Sequence, residues 1–332
     1  MEERMPLMKI YPNQINVFYY SLENRHYPEQ QGENLAVDRK KAYSGKLSEV
    51  SKRIIKERLT AWYYVTLAYN KLSLKQRKRG FKQLIMLTLT LSGAQAHTDK
   101  FIKKNLLELF LKRINYTYGA ENYFWKAEKQ TNGNIHFHIW LDAYIPKEEV
   151  QRHWNEVQDN YGYLDNYRKI YKNSNPPSTQ IEVITGKKQA VKYMMKYVNK
   201  NESGKLIDGR VFSFSDKLIN ICLPVIPIDS TVSDYLAQVS RFEGYNLIEG
   251  SYFAVLRWKY DFIPLFSKLP AMDYYKDYFS KLAVLFYLTD ADAELIYKFN
   301  ALYCNFYSFD LDSVRYEWLN DVGKYISMNF EY

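Results

Sequence analysis

The segment from residue 84 to residue 200 alternates between short apolar runs and amphipathic stretches, and this alternation constrains the fold more than any other feature. Apolar or alternating runs of about four to eight residues are typical of strands, and apolar residues every three or four positions are typical of helices. The pattern predicts, in chain order, strand 84–91, helix 99–115, strands 122–130 and 134–142, helix 146–159, strand 178–185 and helix 190–200.

The succession β-α-β-β-α-β within this segment predicts an α+β fold of the ferredoxin-like or RRM type. In this arrangement the strands form an antiparallel sheet with the helices on one face, which leaves the other face open. An open sheet face can hold a functional site and a nucleic acid.

Two histidines, His136 and His138, flank Phe137 on the third predicted strand. Because successive side chains of a strand point to opposite faces, both imidazoles share one face and Phe137 takes the other. Two imidazoles on one rigid face can hold a divalent metal. A site with nitrogen and oxygen ligands and no thiolate suits Mg²⁺ or Mn²⁺ as the working ion.

A carboxylate is expected to complete this metal site, and Glu128 is the candidate. A three-residue loop at 131–133, with its glycine in the left-handed conformation as a G1 bulge, pairs Glu128 with His136. A two-residue loop would turn Glu128 to the wrong face. Glu182 and Asp142 are the alternative carboxylates.

The predicted helix 190–200 places tyrosines and lysines together on one face. Its apolar residues fall on the opposite side, and the polar group lies within an arc of roughly 100°: Tyr193, Lys196, Tyr197 and Lys200. A tyrosine is a weak nucleophile at neutral pH unless a nearby cation or base favours its oxyanion. We therefore predict Tyr193 and Tyr197 as paired nucleophiles for attack on a phosphate, with Lys196 assisting.

Three motifs in this order resemble those of the HUH endonucleases, specifically the rolling-circle replication initiators of small single-stranded-DNA phages and plasmids. They are the apolar strand Ile85–Leu91 with alternating threonines, His136-Phe137-His138, and the YxxKY helix beginning at Tyr193. The resemblance covers residues 81–220.

The resemblance implies a ferredoxin-like fold and an enzyme that nicks single-stranded origin DNA by metal-assisted tyrosine attack. The products would be a 5′-phosphotyrosine link and a free 3′-hydroxyl that primes synthesis, and the second tyrosine would allow the strand to be rejoined after a round. Two alternatives remain: an HUH single-strand transposase or relaxase, and an origin-binding protein that keeps the fold without cleavage.

Charge is unevenly distributed along the chain. The net charge of +9 over 332 residues divides into +15 for residues 1–219 and −6 for residues 220–332. The basic excess accompanies the metal and tyrosine motifs, where it would bind the phosphate backbone of single-stranded and origin DNA. No GxxxxGK[ST] loop occurs, so strand separation is assigned to a separate host helicase, with a host polymerase extending the primer.

The cellular setting is predicted from cysteines and hydropathy. Cys222 and Cys304 lie neither in a CxxC motif nor near a histidine, which argues against a zinc knuckle or a disulfide framework and fits a reducing cytoplasm. The acidic start and the lack of an apolar run of about 18 residues predict no signal peptide and no membrane contact. We expect a cytoplasmic protein of a bacterial host cell.

The predicted domain organisation has three parts: a basic, partly helical region at 1–80, an HUH endonuclease domain at 81–219, and a mostly helical domain of unassigned role at 220–332. Residues 1–35 have no clear periodicity. Further elements predicted outside the central pattern are helix 46–59, a basic linker at 75–80, an edge strand at 209–215, and helices 272–288 and 290–303. His97 and His153 are expected at the surface.

Overall fold

The computed structural model of the protein describes residues 5–11, 14–20, 47–73, 75, 77, 80–184, 190–199, 206–227, 236, 240–241, 245–250, 253–258, 270–289 and 291–304. The chain divides into two compact units, one formed by Ser44–Asn220 and the other by Met1–Tyr43 together with Ile221–Tyr332. Each unit combines helices with an antiparallel sheet. His26 and Lys200, which the sequence raised as candidates, lie outside the described residues.

The described strands and helices follow one another in this order: β1 (Met5–Tyr11), β2 (Gln14–Tyr20), α1 (Glu49–Lys71), β3 (Ile85–Thr90), α2 (Asp99–Phe101), a π-helical segment (Ile102–Leu107), α3 (Glu108–Tyr118), β4 (Tyr123–Lys129), β5 (Ile135–Leu141), α4 (Lys147–Asp159), α5 (Asp165–Tyr171), β6 (Thr179–Val183), α6 (Ala190–Asn199), β7 (Phe212–Phe214), α7 (Asp216–Ile219), β8 (Ile226–Pro227), β9 (Tyr245–Gly250), β10 (Phe253–Trp258), α8 (Pro270–Leu288) and α9 (Ala293–Cys304).

The Ser44–Asn220 unit is built on a five-stranded antiparallel sheet with the order β6-β3-β5-β4-β7. Its first four strands in the chain are the ones predicted from apolar periodicity, each slightly shorter than expected. The predicted edge strand is confirmed as β7, which pairs with β4. The predicted helix after β3 is also present, as α2, the π-helical segment and α3 without interruption.

One face of this sheet carries the apolar core. Leu87 and Leu89 of β3 are fully buried, as is Phe137 of β5. Trp154 of α4 covers this face: its ring centroid lies 6.5 Å from that of Phe137, and its Nε1 donates to the Thr90 carbonyl at 2.8 Å. Since β3 alternates, its threonines turn to the opposite face, where they pair with the two histidines of β5.

That second face is covered by two helices, which corrects the expectation of an open face. Lys126 Nζ of β4 donates to the Tyr197 carbonyl of α6 at 2.9 Å, and the Arg58 guanidinium of α1 lies 5.3 Å from the Phe214 ring centroid. The physical reason is that Phe124 and Trp140, both fully buried, lie in the same register as the histidines and must be shielded from water.

Helix α1 therefore belongs to the same unit as the predicted endonuclease domain, although the sequence placed it in a separate N-terminal region. It is longer than the predicted helix 46–59, with Ser48 as its N-cap: Ser48 Oγ accepts from the Ser51 amide at 3.1 Å. Trp62 anchors the helix from its fully buried position and donates to the Asp142 carboxylate at 3.4 Å.

The second unit joins the two ends of the chain, which differs from the predicted boundaries. Its sheet has the order β8-β1-β2-β10-β9, so the unassigned N-terminal residues supply two adjacent strands. Tyr275 of α8 donates to the Ile10 carbonyl at 2.8 Å and fixes the helix to β1. The C-terminal part is therefore a mixture of strands and helices, where sequence predicted mostly helix.

Two further observations bear on the setting of the protein. Cys222 is disulfide-bonded, contrary to the expectation that its cysteines play no such role. Within the described residues, every helix is too short or too polar to cross a membrane.

Candidate metal centre and tyrosine pair

The loop between β4 and β5 sets the register of the candidate metal centre. The Gln130 amide donates to the Asn134 carbonyl and the Gly133 amide donates to the Gln130 carbonyl, each at 2.9 Å, which closes a three-residue loop. Gly133 has φ 91°, a left-handed conformation that glycine adopts without strain. Glu128 consequently pairs with His136, as the three-residue loop predicts. Lys129 takes the opposite face, where its Nζ lies 2.6 Å from Asp99 Oδ1.

Three potential ligands converge on the second face of the sheet. One side-chain ligand atom from each of Glu128, His136 and His138 lies within 4.8 Å of the others. Glu128 Oε2 is 3.3 Å from His136 Nε2 and 3.6 Å from His138 Nε2. Glu128 and His138 are buried and His136 is half-buried. Two imidazole nitrogens and a carboxylate oxygen in a nearly dry setting fit a divalent cation, so this group could hold a metal ion.

Neighbouring side chains orient two of these three groups. Thr88 Oγ1 lies 3.2 Å from His138 Nδ1, which leaves Nε2 directed towards Glu128. On the other side, Lys126 Nζ lies 3.1 Å from Glu128 Oε1, so that Oε2 faces the histidines. The sequence analysis missed Lys126, although its position two residues before Glu128 places it on the same face.

The electrostatics of the centre favour an ionised carboxylate. Burial tends to raise the pKa of Glu128, but hydrogen bonds with His136 and His138 and the positive charge of Lys126 outweigh it and hold the pKa well below its usual range. The carboxylate is therefore charged at neutral pH and available as a ligand.

The two alternative carboxylates lie elsewhere. The Asp142 carboxylate accepts from Trp62 and, at 3.0 Å, from Asn122 Nδ2. The Glu182 carboxylate accepts from the Tyr193 hydroxyl. Among the described residues, the metal-ligand group comprises Glu128 and the two histidines alone.

These positions predict the effects of two matched substitutions on metal affinity. Glu128→Gln should weaken Mn²⁺ binding by about 1–3 kcal/mol, because a charged ligand is lost while its shape is kept. Glu182→Gln should leave the affinity unchanged. Calorimetric titration of both variants and the wild type with Mn²⁺ measures the difference, and a reversed order would show that the carboxylate ligand is misassigned.

The two tyrosines of α6 lie together beside the metal-ligand group. Val191, Met194 and Val198 bury the opposite side of the helix. The hydroxyl oxygens of Tyr193 and Tyr197 are 2.9 Å apart, and both side chains are half-buried. The Tyr197 ring centroid lies 4.7 Å from that of His138. The residues singled out on two separate segments of the sequence thus meet at one place.

The surroundings of the two hydroxyls differ. Tyr193 donates to Glu182, a contact that the sequence did not reveal. Burial, followed by the negative charges of Glu182 and Glu128, raises the pKa of Tyr197. Lys196 Nζ lies 5.9 Å from the Tyr197 ring centroid, over the ring face. The expected assisting cation is therefore close to Tyr197, while a carboxylate contacts Tyr193.

Two other histidines stand apart from this group. His97 packs on Phe101 with ring centroids 4.4 Å apart, and its Nδ1 lies 2.9 Å from the Tyr163 hydroxyl. His153 is buried, which corrects its expected surface position, and burial lowers its pKa. Neither joins the metal-ligand group.

Comparison with known protein families links this part of the chain to replication. Residues 84–202, which run from the start of β3 past the end of α6, match the family model of replication-associated proteins that is named for ORF2 and the gene II protein. The match covers less than half of the 332-residue chain and indicates a protein associated with rolling-circle replication. Searches of curated proteins and of solved structures found no match.

Proposed function

We propose that this protein is an HUH-type initiator of rolling-circle replication that nicks and rejoins single-stranded origin DNA. The observation that carries the proposal is the placement of two tyrosine hydroxyls, 2.9 Å apart, beside the Glu128–His136–His138 group. A nucleophile pair next to a candidate cation site is the arrangement that phosphodiester cleavage and rejoining require.

The fold supports this proposal. Counted along the β-α-β-β-α-β segment, the strand order β6-β3-β5-β4 reads 4-1-3-2, which is the order of a ferredoxin-like sheet. The family match spans this same segment. The ferredoxin-like and HUH assignments therefore rest on topology, on the family match and on the motifs together.

In the proposed reaction, a tyrosine hydroxyl attacks the scissile phosphate and forms a 5′-phosphotyrosine, and the 3′ oxygen leaves as a primer end. Glu128, His136 and His138 would hold Mg²⁺ or Mn²⁺, which supplies charge stabilisation for the phosphate and the departing oxygen. The second tyrosine then attacks the regenerated origin, so that the released strand can be closed.

The partners follow from the same proposal. The basic part of the chain would bind the DNA backbone. A separate helicase and a polymerase of the bacterial host would open and extend the DNA in the cytoplasm, since the sequence has no phosphate-binding loop.

A covalent adduct is the direct test. Purified protein is incubated with single-stranded oligonucleotides tiled across the replicon that carries its gene, with Mn²⁺ or with EDTA. We expect a protein–DNA adduct that survives denaturing electrophoresis, formed with one oligonucleotide and only when the metal is present. Binding of DNA without an adduct under any of these conditions would favour the non-cleaving origin-binding alternative.

A further inference from the structure

Glu182 has a position that neither the metal-ligand group nor the apolar core explains. It lies on β6, paired with Met86 of β3, and its side chain is half-buried. One carboxylate oxygen accepts from Gln180 Nε2 at 3.0 Å, and the other accepts from the Tyr193 hydroxyl. The carboxylate thus has one oxygen fixed by the strand and one directed at a proposed nucleophile.

We propose that Glu182 is the general base that accepts the proton of Tyr193 during strand cleavage. This inference rests on the proposed function and assigns a further residue to the same site. A general base must lie within hydrogen-bond distance of the proton that it removes, and Glu182 meets this condition for Tyr193. A carboxylate has the same role in protein kinases, where an aspartate accepts the proton of the attacking hydroxyl.

The hydrogen-bond network makes the two tyrosines unequal. The Tyr197 hydroxyl lies 2.9 Å from the Tyr193 hydroxyl, so its proton reaches Glu182 through Tyr193. Tyr193 is therefore the tyrosine that the base serves directly. In the first cleavage it has the advantage over Tyr197.

The charges around the pair favour transfer of the proton during attack over prior formation of a phenolate. The titratable groups that face the pair in the described residues are Glu182, Glu128, His138 and Lys196. The two carboxylates disfavour a second negative charge, and the raised pKa of Tyr197 reflects this effect together with burial. A tyrosine that stays protonated needs an acceptor in contact with its hydroxyl.

The step balances without any oxidant or reductant. The O–H bond of Tyr193 breaks, the proton passes to Glu182, and a new bond forms between the phenolic oxygen and phosphorus. The bond from phosphorus to the 3′ oxygen breaks, and that oxygen keeps the electron pair and takes a proton from water. In the reverse direction Glu182 returns its proton to Tyr193.

The first measurement is the single-turnover rate of adduct formation by Glu182→Gln, with Glu148→Gln as a control at an exposed position. We expect a fall of at least about 100-fold at pH 7, the lower range for loss of a general base. Mn²⁺ affinity and binding of single-stranded DNA should not change. The defect should shrink towards about pH 10, where phenolate forms without a base.

The second measurement repeats Glu182→Gln in each tyrosine background. The substitution should cause little further loss in Tyr193→Phe, and its full effect should persist in Tyr197→Phe, because coupled residues are not additive. Equal losses in both backgrounds, a defect independent of pH, reduced Mn²⁺ affinity, or a wild-type rate would each overturn the assignment while leaving the nicking function intact. Absence of any adduct from the wild type would overturn both proposals.

Discussion

The double variant Tyr193→Phe/Tyr197→Phe is expected to form no covalent adduct with single-stranded origin DNA, whereas each single variant retains some. Both hydroxyls lie beside the metal-ligand group, so either remaining phenol can approach the bound phosphate. Closure of the released strand should be impaired in both single variants, because it uses two nucleophiles in succession. A labelled suicide oligonucleotide, which releases its 3′ part on cleavage, measures the adduct in each variant.

Tyr116→Phe provides the matched control, since that side chain is 95% exposed and lies on a different helix. Mass spectrometry of the trapped peptide identifies the tyrosine that carries the 5′ phosphate, and Tyr193 is expected to dominate in the wild type. If one single variant loses all cleavage while the other rejoins strands normally, the protein is a one-tyrosine enzyme.

Substitution of either histidine should have an effect of similar size. His136→Ala and His138→Ala are each expected to reduce nicking at least about 1000-fold, because charge stabilisation by a metal is worth several kcal/mol. Binding of double-stranded origin DNA should stay within a few-fold of the wild type, since it depends on positive charge spread over the chain. Gel shift and cleavage assays on the same preparations separate the two effects.

His97→Ala is the control for this pair, because its imidazole bonds to Tyr163 and lies outside the metal-ligand group. It should nick at the wild-type rate with normal dependence on Mn²⁺. Full cleavage by His136→Ala or His138→Ala in the presence of metal would refute the assignment of the metal centre.

Local rules were sufficient for the part of the fold that carries the site. The period of apolar residues located the strands and helices between β3 and α6, and turn chemistry at Gly133 gave the correct pairing of Glu128 with His136. The same alternation placed both histidines on one face. Each of these inferences depends on residues close together in the sequence.

Contacts between distant segments were not predictable in this way. β1 and β2 pair with strands more than 200 residues away, and their short, tyrosine-rich sequences have no strong periodicity. The position of α1 on the second sheet face depends on burying aromatic residues from other strands. The contacts of Lys126 and Glu182 depend on where α6 packs, which the helical pattern of α6 alone does not determine.

The loop after β4 works like a reading frame for the sheet. With three residues it directs Glu128 to the imidazoles and Lys129 to Asp99. Inserting or deleting one residue there would exchange the two faces, which would bring an ammonium group among the imidazoles and set a carboxylate against the carboxylate of Asp99. Changes of residue type at Thr131 and Asn132 leave this phase intact. The length of the loop, more than its composition, is therefore what the metal centre requires.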